Sequence, residues 1–147
     1  MLYTRQTKTA MKIAFEAHIN QVDKGGTPYI YHPIHLAEQL DTEAEITAAL
    51  LHDVVEDTDW TIDALRDAGI SEEALEILAL LTHPDSEAYM DYIRRVAEHP
   101  AARRIKLLDM AHNMELTRLD PENHAAALHF QEKYREPWAF LNAADKV

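Results

Sequence analysis

Cysteine is absent from the 147 residues, and glycine and proline are scarce, at 3 and 6 residues. The lack of cysteine excludes disulfide bonds, thiolate zinc sites and cysteine nucleophiles. It also agrees with the reducing cytoplasm, where we expect the protein to reside. Long apolar runs are missing too: no stretch reaches the ~18 apolar residues of a membrane helix, and residues 1–13 carry charges where a signal peptide would be apolar. We therefore expect neither a membrane span nor a signal peptide.

Positive charge is the other shortage. Lysine and arginine number 14 against 26 aspartates and glutamates, for a formal net charge of −12. An acidic surface repels the phosphates of DNA and RNA, so we expect no polymeric nucleic acid as a partner. A small phosphorylated nucleotide could still bind if a divalent metal and a few basic side chains neutralised it locally. The 9 histidines and many carboxylates provide ample ligands for such a metal.

The residues that are present favour helices. Apolar residues make up 47% of the chain, enough for one sizeable core, and the length suits a single domain spanning residues 1–147. Alanine, leucine and glutamate are abundant, and no segment alternates with period two for long enough to be a strand. The expected fold class is all-α, a compact bundle of about six to eight helices.

Caps and helix breakers predict the element boundaries. Thr42, Thr61 and Ser71 are the predicted N-caps, with Glu45 as the capping-box partner of Thr42. The glycines of residues 23–28 indicate a loop. The predicted helices cover residues 4–20, 32–40, 43–56, 62–67, 72–81, 87–98 and 100–119, and a last helix begins at residue 121 and is expected to kink at Pro137.

The run HDVVEDT at residues 52–58 concentrates polar groups that could do chemistry. On a helix, residues four apart share a face, so His52 lies with Glu56, and Asp53 lies with Asp57. Three carboxylates at the end of an otherwise apolar helix would repel one another unless a cation lay among them. A solvent-exposed acidic helix end is the alternative, and the run taken alone favours that interpretation.

Two other segments favour the cation. His32 stands at the start of a predicted helix, and Asp109 lies in a largely apolar stretch with Lys106 and Asn113 near its own helix face. A buried carboxylate needs a partner because its desolvation is costly. A metal ion shared with the HDVVEDT run would be such a partner.

Three blocks of residues resemble a known family. They are GTPYIYHP at residues 26–33, HDVVEDT at 52–58, and KLLD at 106–109 together with Asn113. The order of their histidines and aspartates is similar to that of the HD-domain phosphohydrolases. More narrowly, the blocks resemble the hydrolase domain of RelA/SpoT proteins and the free-standing small alarmone hydrolases of the metazoan SpoT homologue type. The resemblance extends from about residue 14 to residue 119 and implies the helical HD-domain fold.

The resemblance implies one divalent metal ion held by His32, His52, Asp53 and Asp109. In this family the ion is usually Mn²⁺, and a mixed set of imidazoles and carboxylates also suits Fe²⁺ or Zn²⁺. Such an ion would lower the pKa of its bound water and neutralise phosphate charge. His112 lies outside this ligand set and is expected only to pack in its helix.

The resemblance also implies roles for the remaining polar residues. Glu56 and Asp57 match the acidic pair that positions or deprotonates the attacking water. The predicted substrate-binding residues are Lys24, Thr27, Lys106 and Asn113. The implied reaction is hydrolysis of the 3′-pyrophosphate of guanosine tetra- or pentaphosphate, which yields GDP or GTP and pyrophosphate.

One segment departs from the family pattern. Alarmone hydrolases usually carry a longer basic loop with arginines after the glutamine, whereas residues 21–26 here read QVDKGG, with Lys24 as the only cation. Arginine can both stack on a purine and fork onto a phosphate, and lysine cannot do both. Two alternatives therefore stay open: an HD phosphohydrolase for another small phosphorylated nucleotide or cofactor, and a non-catalytic nucleotide-binding HD domain. The pair Glu56 and Asp57 argues against the second. A homodimer is among the assemblies that the sequence allows.

Overall fold

Eight α-helices and two short 3₁₀ turns form the described part of the chain, residues 1–145, in a computed structural model. The α-helices are α1 Arg5–Ala17, α2 Tyr31–Ala37, α3 Glu43–Asp57, α4 Ile62–Asp67, α5 Glu72–Leu81, α6 Tyr89–Ala97, α7 Pro100–Asn113 and α8 His124–Asp145. The 3₁₀ turns are Leu116–Arg118 and Pro121–Asn123. Within residues 1–145 the only β pairing is an isolated bridge between Val22 and Pro28. The all-α prediction is confirmed, and residues 146–147 of the predicted domain lie outside the described range.

Side-chain caps set several helix starts. Thr42, Thr61 and Ser71 each accept a hydrogen bond from the backbone N–H three residues further on, at the starts of α3, α4 and α5. Because these caps satisfy an otherwise unpaired donor, α4 and α5 have the predicted bounds. The capping box predicted at α3 is only half formed. Glu45 does not bond back to Thr42, and its Oε2 lies 3.7 Å from Nη1 of Arg104.

Helices α1, α2 and α6 are shorter than predicted. α1 ends before His18, whose Nδ1 lies 2.7 Å from Oε1 of Gln21 in the following turn. α2 ends at residue 37 instead of 40. α6 begins at residue 89 instead of 87, because Glu87 is held in a turn: its N–H donates to Pro84 O at 3.0 Å and its carboxylate pairs with Arg95 at 2.9 Å. Side-chain contacts thus compete with the helix at these ends.

α7 ends at residue 113 although the pattern predicts it to continue to 119. Arg118 turns back at this point, with its Nη1 donating to the carbonyl of His112 at 2.8 Å and its Nη2 3.1 Å from Oδ2 of Asp23. The first bond satisfies a carbonyl in the last turn of α7. The second joins residues 95 positions apart along the chain.

α3 is the central helix of the bundle. It packs against α1, α2, α5 and α7, while α8 covers α6 and α7. Residues 46–52 of α3 are all buried, so the helix delivers His52 to the interior instead of to solvent. α7 brings Asp109 to the same place, because it also contacts α2. Among the described residues, we find no helix that combines the length and apolarity needed to cross a membrane.

A substitution of Leu50 would test whether α3 is the central helix, because the Leu50 side chain is 0% exposed. We expect Leu50→Ala to lower the free energy of unfolding by about 3 kcal/mol, since it removes buried methyl groups and leaves a cavity. Equilibrium urea denaturation measures the change. Leu128→Ala is the control at a side chain that is 60% exposed, and it should shift stability by less than ~0.5 kcal/mol. Equal effects of the two changes would contradict the packing described above.

Candidate functional site

Three of the four predicted metal ligands converge where α2, α3 and α7 meet. Nε2 of His32 lies 2.9 Å from Oδ1 of Asp109, and Nε2 of His52 lies 3.6 Å from the same oxygen. One ligand atom from each of the three residues lies within 4.8 Å of the others, and all three residues are buried. The described residues therefore contain a His/His/Asp group that could hold a metal ion.

Asp53 lies at the edge of this group. Its Oδ2 is 3.1 Å from Nε2 of His52 and 3.8 Å from Nε2 of His32. The hydroxyl of Tyr29 donates a hydrogen bond to the same oxygen at 2.5 Å. Tyr29 thereby fixes the orientation of the Asp53 carboxylate, and the carboxylate in turn raises the pKa of the Tyr29 hydroxyl beyond the effect of burial.

The His52 imidazole is prepared to bind a cation. Its Nδ1 lies 2.7 Å from the carbonyl oxygen of Ala49, so Nδ1–H donates there and the lone pair of the neutral ring is on Nε2. That Nε2 is buried and has no hydrogen-bond partner among the described residues. Although burial opposes protonation, the charge of Asp53 and the contact with Asp109 raise the pKa of His52 well above its usual value, so the two carboxylates attract positive charge to Nε2. A cation bound there would take the place of that proton and leave the ring neutral. A divalent cation fits this donor set because it would satisfy both the lone pair and the carboxylates.

Lys106 and Asn113 hold the Asp109 carboxylate. Nζ of the largely buried Lys106 lies 3.0 Å from Oδ2 of Asp109, and Nδ2 of Asn113 donates to Oδ1 at 3.4 Å. Burial opposes ionisation of the carboxyl, but Lys106 and then His32 hold the pKa of Asp109 well below its usual range. Asp109 is therefore an anion, with one oxygen neutralised by Lys106 and the other turned to the histidines.

A cavity of about 210 Å³ is lined by two residues of the His/His/Asp group, His52 and Asp109. Glu56 is on its wall, with Oε1 accepting the backbone N–H of His83 at 3.1 Å. Desolvation at the wall raises the pKa of Glu56. The hydrogen bond from His83 lowers this pKa, and the charge of Asp53 raises it further, so that the pKa lies above its usual value. A carboxylate with a raised pKa accepts a proton more readily. The lining residues are Tyr29, His52, Asp53, Glu56, Leu81, His83, Tyr89, Tyr92, Ile105, Lys106, Asp109, Asn113, Lys133 and Tyr134.

Asp57 lies apart from Glu56 and does not line this cavity. Its Oδ2 accepts a hydrogen bond from Nε2 of Gln21 at 3.3 Å. Desolvation and the charge of Asp53 raise the pKa of Asp57. The two carboxylates of the predicted water-activating pair are therefore held by different parts of the chain, one by α5 and its following turn and the other by the segment after α1.

A second cavity, of about 270 Å³, adjoins the first, since Tyr29 and Asn113 line both. Lys24 is on its wall, with Nζ 4.3 Å from the centre of the Phe130 ring. Thr27 lines neither cavity and is exposed; its N–H donates to Oδ1 of Asp23 at 3.0 Å. Of the predicted substrate-binding residues, the fold thus brings all but Thr27 to the two adjoining cavities.

Two relatives decide which family the chain belongs to. Guanosine-3′,5′-bis(diphosphate) 3′-pyrophosphohydrolase MESH1 of Danio rerio is 38% identical to it over 130 residues, 79% of this chain and 72% of the relative. MESH1 of Homo sapiens is 38% identical over 128 residues, 80% of this chain and 70% of the relative. The chain belongs to the 3′-pyrophosphohydrolase family. No protein-family model matches this family member.

A solved structure shares the fold of this 3′-pyrophosphohydrolase family member. It is that of a metazoan ortholog of SpoT, described as one that hydrolyzes ppGpp and plays a role in starvation responses. The TM-score is 0.72 at 22% identity, over 94% of this chain and 88% of the other, so the predicted HD-type bundle is confirmed. A probable GTP pyrophosphokinase of Mycobacterium leprae is 34% identical over 131 residues, but the chain spans only 16% of that protein's length.

His112 of this family member contacts the metal-binding group from a neighbouring position. Its Nδ1 lies 2.6 Å from Nδ1 of His32, and the His35 ring packs on it with centroids 4.0 Å apart. Burial, followed by the charge of Arg118, lowers the pKa of His112 to about 3, so its imidazole is neutral. The expectation that His112 only packs in its own helix is therefore wrong.

Several cavity residues of this hydrolase-family chain escape sequence analysis. Tyr29 lies inside the GTPYIYHP block, three residues before His32, and this closeness in sequence could have indicated its position beside the metal-binding group. The residues on α8 had none, because they lie beyond residue 119, where the family resemblance fades and only helix packing brings them to the cavities. These residues are Phe130, Lys133 and Tyr134.

Gly25 tests how the short loop of residues 21–26 is held beside the second cavity. A Cβ atom at this position would overlap the backbone carbonyl of Arg118. Because the overlapping atom belongs to the backbone, the clash could be relieved only by moving the chain. We expect Gly25→Ala to displace the loop, lower stability by roughly 1–3 kcal/mol, and raise the KM for nucleotide more than it lowers kcat. Thermal unfolding and steady-state kinetics measure both. Gly26→Asn is the comparison, because a Cβ there would meet nothing within 4 Å and asparagine tolerates the positive φ of 82° better than most residues; a larger rise in KM there would refute the contact with Arg118.

Proposed function

We propose that this chain is a metal-dependent phosphohydrolase that hydrolyses guanosine 3′,5′-bis(diphosphate) at its 3′ position, leaving GDP and releasing pyrophosphate. The observation that carries the proposal is the buried His/His/Asp group, of which His52 and Asp109 line a cavity whose wall also holds Glu56. The names of the relatives that cover most of the chain support the same reaction. One water molecule is consumed, and one ester bond to the ribose 3′ oxygen is broken.

The proposed metal ligands are His32, His52, Asp53 and Asp109, and Mn²⁺ is the proposed ion, with Fe²⁺ or Zn²⁺ as alternatives. The unpartnered Nε2 of His52 and the two nearby carboxylates support this set. A divalent ion bound there supplies a polarised phosphoryl oxygen and a water of lowered pKa.

Glu56 and Asp57 are the proposed water-activating residues. Glu56 takes a proton from the water as the water oxygen bonds to phosphorus, and the same proton passes to the ribose 3′ oxygen as its bond to phosphorus breaks. The hydrogen bond from the His83 N–H supports this role for Glu56, since it orients one oxygen and leaves the other for the water. Asp57, held by Gln21, is close enough to Asp53 for that charge to raise its pKa, and it contributes negative charge beside the water.

The two adjoining cavities are the proposed substrate site. Lys106 and Lys133 supply positive charge in the first cavity, where the reacting phosphates would lie. Lys24 and Phe130 supply a cation and an apolar ring in the second cavity, where the nucleoside would lie. Asn113 lines both cavities and contacts Asp109. These side chains give the local compensation that a protein with a net charge of −12 needs to bind an anion. Substrate binding by Thr27 stays a prediction.

A second candidate is hydrolysis of another small phosphorylated nucleotide or cofactor. It is favoured by one observation: the loop of residues 21–26 is short, and Lys24 is its only cation, so recognition of the purine is weaker than an arginine would make it.

A nucleotide panel separates these candidates. Purified protein with Mn²⁺, Fe²⁺ or Zn²⁺ is offered guanosine tetraphosphate and other phosphorylated nucleotides, and release of pyrophosphate and phosphate is followed. The proposal expects pyrophosphate from the tetraphosphate. Turnover of another nucleotide alone would favour the second candidate. Lack of turnover with every ion and nucleotide would leave a binding domain without enzymatic activity.

A further inference from the structure

His112 and His32 face each other edge to edge. Their Nδ1 atoms are 2.6 Å apart, and the planes of the two rings differ by only 4°. Parallel rings cannot lie face to face at that separation, because van der Waals contact between ring faces needs ~3.5 Å or more. The two imidazoles therefore lie side by side in one plane, which is the geometry of an in-plane N–H···N hydrogen bond.

The direction of this hydrogen bond follows from the other end of the His32 ring. Nε2 of His32 is turned to Asp109 at 2.9 Å, inside the proposed metal-binding group. A neutral imidazole that binds a cation through Nε2 carries its proton on Nδ1. His32 is then the donor to His112, and Nδ1 of His112 is the acceptor.

His52, the second histidine of the group, also has an acceptor for its Nδ1–H, but that acceptor is a backbone carbonyl. Nδ1 of His52 donates to the backbone carbonyl of Ala49 at 2.7 Å. Among the described hydrogen bonds, Nδ1 of His32 contacts no backbone carbonyl. The side chain of His112, from the last turn of α7, takes that role across 80 positions of the chain.

The surroundings of His112 hold it as an acceptor. The guanidinium of Arg118 donates to the backbone carbonyl of His112 at 2.8 Å and fixes the end of α7. The ring of His35 packs on the His112 ring at 4.0 Å and 22°. The first contact fixes the backbone that carries His112, and the second covers one face of its ring, which a leucine at position 35 could also cover.

We infer that His112 is a positioning residue, whose Nδ1 holds His32 in the tautomer and orientation in which Nε2 binds the divalent ion. The inference rests on the proposed function, because it assigns His32 to the metal. It goes beyond the predicted ligand set, in which His112 has no part.

Two variants of similar shape separate hydrogen bonding from packing. In His112→Asn, the amide oxygen takes nearly the place of Nδ1 and can accept the bond from His32. In His112→Leu, the branched side chain has no acceptor. Titration of the metal-free proteins with Mn²⁺, followed by the electron paramagnetic resonance signal of the free ion, should show roughly 10–100-fold weaker binding for His112→Leu. Binding by His112→Asn should stay within a few-fold of wild type.

His35→Leu is the matched control, because His35 packs on His112 but forms no hydrogen bond with His32 among the described contacts. Its Mn²⁺ affinity should stay near that of the wild type. In kinetics, His112→Leu should raise the Mn²⁺ concentration that gives half-maximal activity, with kcat at saturating Mn²⁺ little changed. Thermal unfolding of each metal-free protein measures any loss of packing separately.

Equal Mn²⁺ affinities of the Leu and Asn variants, whether both unchanged or both reduced, would overturn the inference, since packing alone would then explain His112. Wild-type protein that binds Mn²⁺ but hydrolyses no nucleotide would refute the proposed function and leave the comparison of affinities valid. Wild-type protein that binds no divalent ion would refute both.

Discussion

Replacing Asp53 by asparagine should remove the bound divalent metal and lower kcat/KM for guanosine tetraphosphate by roughly a thousandfold. The change deletes one negative charge from the proposed ligand set but keeps an oxygen that can accept the hydrogen bond from Tyr29. The metal is expected to supply several kcal/mol of charge stabilisation in the transition state, and each ~1.4 kcal/mol corresponds to a factor of ten in rate. Metal content by mass spectrometry and steady-state kinetics measure the two losses.

Asp59→Asn is the matched control, because it removes the same charge from an exposed side chain just beyond α3. It should keep both metal and activity. Asp53 is a better choice than Asp109 for this test, since removing the Asp109 charge would leave the largely buried Lys106 without its partner and threaten the fold. Full metal content in Asp53→Asn would remove Asp53 from the ligand set.

Replacing Glu56 by glutamine should lower kcat by roughly 10²–10⁴-fold, the usual contribution of a general base, while the metal content stays unchanged. Glutamine has the same length and can still accept the hydrogen bond from His83, but it cannot take a proton from water. Single-turnover kinetics with a metal-saturated enzyme measure the chemical step directly.

Glu43→Gln controls for the loss of a carboxylate on the same helix, because Glu43 is exposed at the other end of α3. Its kcat should match that of the wild type. A normal rate in Glu56→Gln would exclude Glu56 as the base and direct attention to Asp57. Together with the Asp53 variant, this experiment separates the two roles that lie within one run of residues: metal binding at its start and water activation one turn later.

Much of the helical framework could be predicted because its signals are local. The bounds of α4 and α5 follow from Thr61 and Ser71, whose side chains cap the nearest free N–H groups. At some ends that are predicted too long, a side chain beyond the helix competes with it. α7 is the clearest example, since Arg118 turns back to bond His112 and to pair with Asp23.

The residues of the candidate site also fall into two sets, one predictable from local sequence and one that depends on other helices. His52, Asp53, Glu56 and Asp57 share one helix end, and helical periodicity alone predicts that they form one polar edge. That His32 and Asp109 complete a group with them followed from the family resemblance, and the fold brings His32 and Asp109 to within 2.9 Å. Periodicity within one helix carries no information on which other helix will face it.

The sequence by itself determined the helical class, the family, and the residue types available for binding a metal and activating water. Only the tertiary structure decided that His112 faces His32, that Arg118 holds the short loop through Asp23, and that α8 lines the cavities. The physical reason is the distance along the chain between the residues that interact. Caps and helix faces depend on neighbours within about one turn, whereas these contacts join residues 80 and 95 positions apart and exist only once the helices have packed.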